Sequence, residues 1–321
     1  MQILINNRPV EALEGETLIE VARRAGSSIP SLCYAKGAKH KSSCMACAVK
    51  DCKSGQIIPS CTTLPVEGMA IDTEDAEVKL ARTLSLELLL SDHRADCEAP
   101  CSMVCSSGLD VERFLGYYDA GQHREALEVL SAVFSLPEVA CDACKAPCEK
   151  VCRRGSVDKS VAIRAIIKEL LAVDEKAYNG EKKNEYAKDK SLYQSRLGRF
   201  TSTEKEHLQA ATSSPSRCLH CACAGREKCR LRLYSTEAGI KRSRYEASSA
   251  LPMKKIPIGG SLCFEPAKCI RCGLCVYNSK NGFTFTGRGF KMEIVLPEEN
   301  KANISENLAK LCPTGAIYKQ K

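Results

Sequence analysis

The sequence predicts an α+β protein of several domains, and three observations along its 321 residues support that fold class. The first residues alternate in polarity around an Asn-Asn pair and then change to helical spacing. Helical patterns dominate the middle of the chain, and short strand patterns return near its C-terminal end. Because compact domains have about 100–150 residues, a chain of this length has room for two or three of them.

The first element is a β-hairpin followed by a helix. Gln2 to Ile5 and Arg8 to Ala12 alternate on either side of Asn6-Asn7, and asparagine suits a two-residue hairpin turn because it tolerates a positive φ. Thr17 to Ala25 has apolar residues at helical spacing and ends before a glycine. A later strand at Met69 to Ile71 would complete a small sheet.

A quartet of cysteines follows this hairpin and helix. Cys33, Cys44, Cys47 and Cys61 have the spacing C-x10-C-x2-C-x13-C. Four thiolates are the usual protein ligands of a [2Fe-2S] cluster, and the long loops suit a buried cluster better than a zinc knuckle. We therefore expect residues 1–74 to form a β-grasp [2Fe-2S] ferredoxin domain.

Two sequence stretches around this quartet carry a family resemblance. With the cysteine spacing, Gly15 to Leu18 and Ile29 to Tyr34 resemble the N-terminal [2Fe-2S] domain of the large iron–sulfur subunits of complex I, NAD-linked hydrogenases and formate dehydrogenases. The resemblance implies electron transfer.

Residues 75–173 predict a helical domain that contains two further cysteine groups. Helical patterns cover Asp75 to Ser91, Leu109 to Tyr118, His123 to Val133 and Val161 to Val173. The cysteines between them are Cys97, Cys101, Cys105, Cys141, Cys144, Cys148 and Cys152. Their motifs resemble the double-[4Fe-4S] domain of the glutamate synthase small subunit and of dihydropyrimidine dehydrogenase.

The resemblance implies two [4Fe-4S] clusters that share ligands between the two motifs. One cluster would take Cys97, Cys101 and Cys152, and the other would take Cys105, Cys144 and Cys148. Two clusters need eight ligands and the groups hold seven cysteines, so His93 is a candidate for the open position of the first cluster and Cys141 for that of the second. His93-x3-Cys97 is similar to a histidine ligand motif of the complex I large subunit. The alternative is a solvated or helix-capping histidine.

Residues 174–216 are rich in Lys, Glu, Asn and Ser and predict an extended linker. The last domain, residues 217–321, begins with four thiols, Cys218, Cys221, Cys223 and Cys229. A [4Fe-4S] cluster and a structural Zn²⁺ both accept four thiolate ligands. The sequence therefore allows either of them at this fifth metal centre. With the ligand set complete, His220 is expected to face solvent.

A final triplet, Cys269, Cys272 and Cys275, together with the distant Cys312-Pro313, forms a [4Fe-4S] ferredoxin signature. We expect a C-terminal [4Fe-4S] ferredoxin-like module, in which Cys263 is an ordinary buried thiol. The segments around these cysteines resemble the C-terminal extension of fused glutamate-synthase-like oxidoreductases.

Composition excludes several other classes of protein. A disulfide framework is typical of small secreted chains, and no secretion signal occurs in this sequence. A run of about 20 apolar residues, which a membrane span would need, does not occur either. We therefore expect a cytoplasmic protein without a membrane span. The formal charge of +8 omits the cluster and its thiolates, which together carry about −2 per cluster. The excess of basic over acidic residues therefore does not indicate a nucleic-acid partner.

The function is expected to be electron transfer without catalysis by this chain. No Gly-rich nucleotide loop occurs, and the segment between Val173 and Arg217 is too short for a flavin or NAD domain of about 100 residues. The chain would relay electrons between a flavoprotein NAD(P)H-oxidising subunit and a second redox subunit or ferredoxin. The complex would be a hetero-oligomer of the transhydrogenase, formate dehydrogenase or hydrogenase type, with electron bifurcation as one form. The alternatives are a stand-alone multi-cluster ferredoxin and a zinc-rich nucleic-acid adaptor.

Overall fold

The computed structural model describes residues 1–93, 95–135, 142–173, 215–223, 228–240, 245 and 254–319. These residues divide into two compact units. Unit 1 contains residues 1–93, 228–240, 245 and 257–319, and unit 2 contains residues 95–135, 142–173, 215–223 and 254–256. The α+β multi-domain prediction is confirmed, since the chain combines sheets and helices in two compact units.

A five-stranded sheet forms the N-terminal part of unit 1. Its strands lie in the order β2-β1-β5-β3-β4, with β1 antiparallel to β2 and parallel to β5. Asn6 and Asn7 occupy the hairpin turn with φ of 51° and 63°, as their side chains allow. The strand bounds are β1 Gln2–Ile5, β2 Arg8–Glu11, β3 Ala48–Asp51, β4 Ile57–Pro59 and β5 Ala70–Asp72.

Helix α1 (Leu18–Arg24) packs on this sheet and begins at a capping box. Thr17 is the N-cap, and the side chain of Glu20 returns to the Thr17 backbone amide at 2.9 Å. The buried face of the helix, which includes Leu18 and Val21, fills the core against Ile3 and its neighbours. The helix thus fixes the start of the loop that carries the first cysteines.

Helix α2 (Ala76–Asp92) belongs to unit 1, whereas the sequence placed it at the start of the second domain. Its N-cap is Asp75, whose carboxylate accepts a hydrogen bond from the Glu77 amide. The side chain of Arg82 donates to the carbonyl of Ala48 on β3 at 2.9 Å. Through this contact the helix packs against the N-terminal sheet within unit 1.

The C-terminal part of unit 1 contains short helices and strands. Two small sheets have the orders β10-β7-β6 and β8-β9. Strands β8 and β9 correspond to the strand patterns expected near the C-terminal end, whereas β6, β7 and β10 were not predicted. The bounds are α8 Arg230–Glu237, β6 Ile256–Pro257, β7 Leu262–Phe264, α9 Leu274–Tyr277, β8 Thr284–Thr286, β9 Glu293–Val295, α10 Asn307–Leu311 and β10 Ile317–Lys319.

Unit 2 is helical, as the sequence predicted. Phe114 and Leu115 of α4 pack against Ile166 and Leu170 of α7 in one core, with exposed fractions of 1% or less. The bounds are α3 Pro100–Val104, α4 Val111–Asp119, α5 His123–Ser131, α6 Pro147–Lys150 and α7 Ile163–Val173.

In the part of the chain that the structure describes, no helix has the length and apolar character needed to cross a membrane. Most of the predicted linker, residues 174–214, lies outside the described residues.

Candidate metal centres

The first predicted quartet is brought together in unit 1. Cys33, Cys44, Cys47 and Cys61 are all buried, and hydrogen bonds join their sulfurs in the pairs 33–44, 33–61 and 47–61. Because the thiols of Cys44 and Cys61 donate to it, the pKa of Cys33 lies well below its usual range, despite burial. The pKa of Cys47 falls to about 7, chiefly through its hydrogen bond with Cys61. The same hydrogen bonds, together with burial, raise the pKa values of Cys44 and Cys61 well above the usual range, so the four sulfurs act as one hydrogen-bonded group. Four buried sulfurs in mutual contact fit the ligand set of a [2Fe-2S] cluster.

Four non-glycine residues with positive φ lie inside cysteine loops. They are Met45 at 52°, Ala146 at 46°, His220 at 47° and Arg271 at 54°. A left-handed conformation costs an ordinary residue about 1–2 kcal/mol, so strain of this kind usually accompanies a functional loop. Three of the four stand two residues after a cysteine, and there the amide of the left-handed residue donates to that cysteine's sulfur.

The C-terminal quartet has this turn at Cys269. The amide of Arg271 donates to the Cys269 sulfur at 3.3 Å, and the amide of Ile317 donates to that of Cys312 at 3.5 Å. Burial raises the pKa of Cys272 to about 12, and electrostatic interactions couple it to Cys269 and Cys312. Cys275 interacts in the same way with Cys272 and Cys312. The four predicted ligands therefore surround one site.

A buried ion pair supports this quartet. The ammonium of Lys268 lies 2.7 Å from the Glu265 carboxylate, and the two side chains are 0% and 2% exposed. The hydroxyl of Thr314 donates to the Lys268 carbonyl at 2.7 Å. These contacts join the residue before Cys269 to the loop after Cys312. Cys263 is fully buried in β7, as the sequence predicted.

The two quartets of unit 1 share one apolar cluster. Cys33 and Cys44 pack with Ile270 and Leu86, and Cys272 lies against the same cluster. The charge of Cys33 also acts on the thiol of Cys272 and contributes to its raised pKa, though less than burial does. Two cysteine groups about 200 residues apart in the sequence thus lie close together.

Arg230 joins the two cysteine loops. Its guanidinium donates to the carbonyls of Tyr34 at 3.2 Å and Ser31 at 3.4 Å, on either side of Cys33. It also donates to the carbonyl of Leu311, next to Cys312, at 3.1 Å. Sequence reasoning did not identify this residue, because no motif marks an arginine that acts only through backbone carbonyls.

Unit 2 contains two groups of thiols. In the first, Cys148 interacts electrostatically with Cys144 and Cys105, and the amide of Ala146 donates to the Cys144 sulfur at 3.3 Å. These are three of the ligands predicted for one [4Fe-4S] cluster. The fourth candidate, Cys141, lies outside the described residues.

The second group in unit 2 combines cysteines that the sequence assigned to different centres. Cys101, Cys152, Cys218 and Cys221 line one small cavity. The predicted group of four at the start of the last domain is divided, because Cys218, Cys221 and Cys223 belong to unit 2 and Cys229 to unit 1. Cys229 packs in the apolar cluster of Cys33 and Cys44.

One of two candidate histidines lies where the sequence did not predict it, and the other occupies a helix cap. His220 is 0% exposed, and its Nδ1 lies 3.6 Å from the buried carboxylate of Glu112, so the prediction of a solvent-facing side chain is wrong. Glu112 also accepts a hydrogen bond from the amide of Ala222 at 3.0 Å. The two contacts hold residues 220–222 in the interior of unit 2. His93 is the C-cap of α2 in unit 1, and its role as a ligand stays a prediction, as does that of Cys97.

Within the described residues, no three His, Cys, Asp or Glu side chains converge on a position for a single metal ion. The ligands of an iron–sulfur cluster do not need to converge on one position, because its thiolates bind two or four different irons.

Comparison with known protein families identifies three cluster-binding domains. Residues 1–76 match a 2Fe-2S iron–sulfur cluster binding domain, residues 75–179 match the 4Fe-4S cluster domain II of dihydropyrimidine dehydrogenase, and residues 263–318 match a 4Fe-4S single cluster domain. The predicted resemblance to a [2Fe-2S] domain, a double-[4Fe-4S] domain and a C-terminal [4Fe-4S] ferredoxin domain is confirmed.

Curated relatives are subunits of NAD-linked or NADP-linked oxidoreductases. The NADP-reducing hydrogenase subunit HndD of Solidesulfovibrio fructosivorans is 31% identical over 47% of this chain and 27% of its own length. One NADH-quinone oxidoreductase subunit of Rickettsia bellii is 33% identical over 39% of this chain and 18% of its own length. The gamma subunit of the NAD-reducing hydrogenase HoxS of Cupriavidus necator is 31% identical over 30% of this chain and 41% of its own length. The chain thus spans less than half of each of these relatives.

A solved structure shares the fold over nearly the whole chain. It is a chain of an NAD⁺-reducing [NiFe]-hydrogenase in the H₂-reduced state, with a TM-score of 0.52, 14% identity, and coverage of 99% of this chain and 87% of that one. The family matches thus show 2Fe-2S and 4Fe-4S cluster domains in this chain, and the curated relatives that share them are subunits of NAD-linked and NADP-linked oxidoreductases.

Proposed function

We propose that this chain is a relay subunit that passes single electrons between a flavin-containing, NAD(P)-binding subunit and a second redox-active subunit or ferredoxin. The observation that carries the proposal is the shared apolar cluster of unit 1, in which Cys33, Cys44 and Cys272 pack together. A [2Fe-2S] and a [4Fe-4S] cluster bound at the two quartets would be neighbours. Electron tunnelling weakens steeply with distance, so neighbouring clusters would exchange electrons.

The bound clusters would supply the one-electron chemistry, and the protein's side chains position them and exclude water. Cys33, Cys44, Cys47 and Cys61 are the proposed [2Fe-2S] ligands. Cys269, Cys272, Cys275 and Cys312 are proposed for one [4Fe-4S] cluster, and Cys105, Cys144 and Cys148, with Cys141, for another. A third [4Fe-4S] cluster would include Cys101 and Cys152. Backbone N–H groups that point at the sulfurs, as at Cys269 and Cys312, raise cluster potentials by stabilising the reduced, more negative state.

The proposed setting is a cytoplasmic hetero-oligomer, and the description of the relatives as subunits supports the hetero-oligomeric part of this proposal. The relatives include subunits of NAD-reducing and NADP-reducing hydrogenases and of NADH-quinone oxidoreductases. In such a complex the partner subunits bind flavin and nicotinamide, and this chain carries electrons onward. A bifurcating transhydrogenase or a formate dehydrogenase would use the same relay.

The test is anaerobic purification of the native complex through an affinity tag on this chain. We expect a flavoprotein to copurify, and NADH or NADPH to bleach the visible absorption of the clusters in the complex. The isolated chain is the matched control, which dithionite should reduce and the nicotinamides should not. A native chain that purifies without a flavoprotein would instead support the second candidate, a stand-alone multi-cluster ferredoxin.

A further inference from the structure

Residues 75–173 hold seven cysteines, whereas two [4Fe-4S] clusters need eight ligands, and unit 2 contains a further segment that brings in additional thiols. Residues 215–223 lie on α4 and beside the cysteines of that region. We propose that Cys218 and Cys221 join Cys101 and Cys152 as the four thiolate ligands of a single [4Fe-4S] cluster. This proposal names the ligands of one cluster in the electron relay proposed above, and it rests on that proposed function.

The first support is the cavity itself. Cys101, Cys152, Cys218 and Cys221 all line it. Electrostatic interactions link Cys221 to Cys101 and Cys152, and Cys218 to Cys221 and Cys101. Four thiolates bound to one Zn²⁺ at about 2.3 Å would converge on a single point, and within the described residues no three ligand side chains do so. Thiolates distributed around a cluster core fit this arrangement better than the ligands of a single ion.

The second support is the shape of the Cys218-x2-Cys221 loop. His220 has a φ of 47°, close to the 54° of Arg271 at the same position of Cys269-x2-Cys272. The amide of His220 donates to the Cys218 sulfur, just as the Arg271 amide donates to Cys269. The loop therefore has the conformation of the recognised ferredoxin loop, including its costly left-handed residue.

The third support is the way the segment is held against unit 2. Arg217, 3% exposed, lies 2.9 Å from the Asp158 carboxylate and donates to the Lys159 carbonyl at 2.8 Å. The Ala222 amide donates to buried Glu112, and the Cys223 amide donates to the Cys97 carbonyl at 3.2 Å. These contacts on both sides of Cys218 and Cys221 fix the two thiols at the cavity.

The alternative is that Cys218 and Cys221 belong to a separate fifth centre while Cys101 and Cys152 serve another cluster. The two arrangements differ in iron content. With the shared site, the chain would bind about 14 irons as one [2Fe-2S] and three [4Fe-4S] clusters, and a fifth [4Fe-4S] centre would raise this to about 18.

The experiment measures iron and sulfide in the full-length chain, purified anaerobically, for Cys101→Ala, Cys221→Ala and the double variant. With a shared site, each single variant loses about four irons and the double variant loses no more, because both residues hold the same cluster. A loss of about eight irons in the double variant, or an undiminished iron content in Cys221→Ala, overturns the proposal. Cys263→Ala is the matched control, because it removes a buried thiol outside every proposed ligand set, and it should keep its full iron content.

Electron paramagnetic resonance keeps the test decisive if an alanine variant fails to fold. Cys101→Ser and Cys221→Ser retain an oxygen ligand, and the proposal requires both to alter the same [4Fe-4S] signal. Changes in two different signals, or no change in Cys221→Ser, overturn it. The [2Fe-2S] signal of unit 1 reports intact folding throughout. Because these measurements use the isolated chain, their failure is separate from failure to find a flavoprotein partner.

Discussion

The two units of this protein build their thiol sites differently. In unit 1 each quartet comes from a short stretch of chain, residues 33–61 or 269–312, and short loops are inexpensive to close. In unit 2 the cavity collects cysteines from three separate stretches, at Cys101, at Cys152 and at Cys218 with Cys221. Spacing alone reveals a site of the first kind, whereas a site of the second kind becomes visible only when the segments are packed.

The polar support of the two kinds of site differs as well. Unit 1 holds its C-terminal quartet with one fully buried ion pair between Lys268 and Glu265. Unit 2 holds the incoming segment through Asp158, which lies between the buried guanidinium groups of Arg154 and Arg217. A long-range site needs such an anchor, because no nearby sequence restrains the segment that brings its last ligands.

The largest effect is expected at Lys268 in unit 1. Lys268→Met leaves the carboxylate of Glu265 buried without its cation, and breaking a buried pair in this way costs about 3–5 kcal/mol. We expect a clear fall in the thermal unfolding temperature of the holoprotein, measured anaerobically by calorimetry. The double variant Glu265→Gln/Lys268→Met removes both charges and should recover part of the loss. A double variant no more stable than the single one would show that the pair is not the cause.

A smaller effect is expected at Asp158 in unit 2. Asp158→Asn removes the charge that pairs with Arg154 and Arg217, and since the carboxylate is 19% exposed we expect a loss of about 2–3 kcal/mol. Calorimetry should show the loss in the transition of unit 2. Asp142→Asn is the matched control, since Asp142 pairs with Lys168 on the surface and is 70% exposed, and it should change little.

The same variant has a defined pH dependence. The Arg154 hydrogen bonds, aided by Arg217, hold the pKa of Asp158 well below its usual range, against the effect of burial. A lowered pKa stabilises the fold above the unfolded value of about 3.9 and loses that effect only as the pH falls below it. The difference between wild type and Asp158→Asn should therefore be equal at pH 5.5 and pH 8. A difference that disappears by pH 5.5 would contradict this account.

The smallest effect on stability is expected at Arg230. Arg230→Ala removes the guanidinium contacts with the carbonyls of Tyr34 and Leu311, with an expected loss of about 1–2 kcal/mol. Removing a cation near both quartets should also lower both cluster potentials, because the reduced clusters are more negative. Potentiometric titration followed by electron paramagnetic resonance measures this.

Arg230→Lys distinguishes the effect of the positive charge from the effect of the hydrogen bonds. It keeps the charge, but an ammonium cannot replace the planar guanidinium that donates to several carbonyls. We expect it to keep the potentials closer to wild type and to lose stability nevertheless. If Arg230→Ala changes neither potential, Arg230 is only a packing residue.

Much of the fold was predictable where the pattern was local. The Asn6-Asn7 turn, the Thr17 cap and the helix beginning after Asp75 all follow from side chains that satisfy nearby backbone groups. Strands β7 and β10 were missed because each is short and pairs with a partner more than 50 residues away in the sequence. His220 was misplaced because its burial depends on Glu112, more than 100 residues away.

The sequence by itself determined the chemistry of this protein: its cysteine motifs specify iron–sulfur domains, since loop length and the flanking residues set which thiols can meet locally. The tertiary structure alone decided that Cys229 joins unit 1, that Cys218 and Cys221 face Cys101 and Cys152, and that Arg230 links two cysteine loops. The physical reason is that these arrangements depend on buried polar contacts and apolar packing between segments far apart in the chain. Such contacts leave no periodic or spacing signal in the sequence.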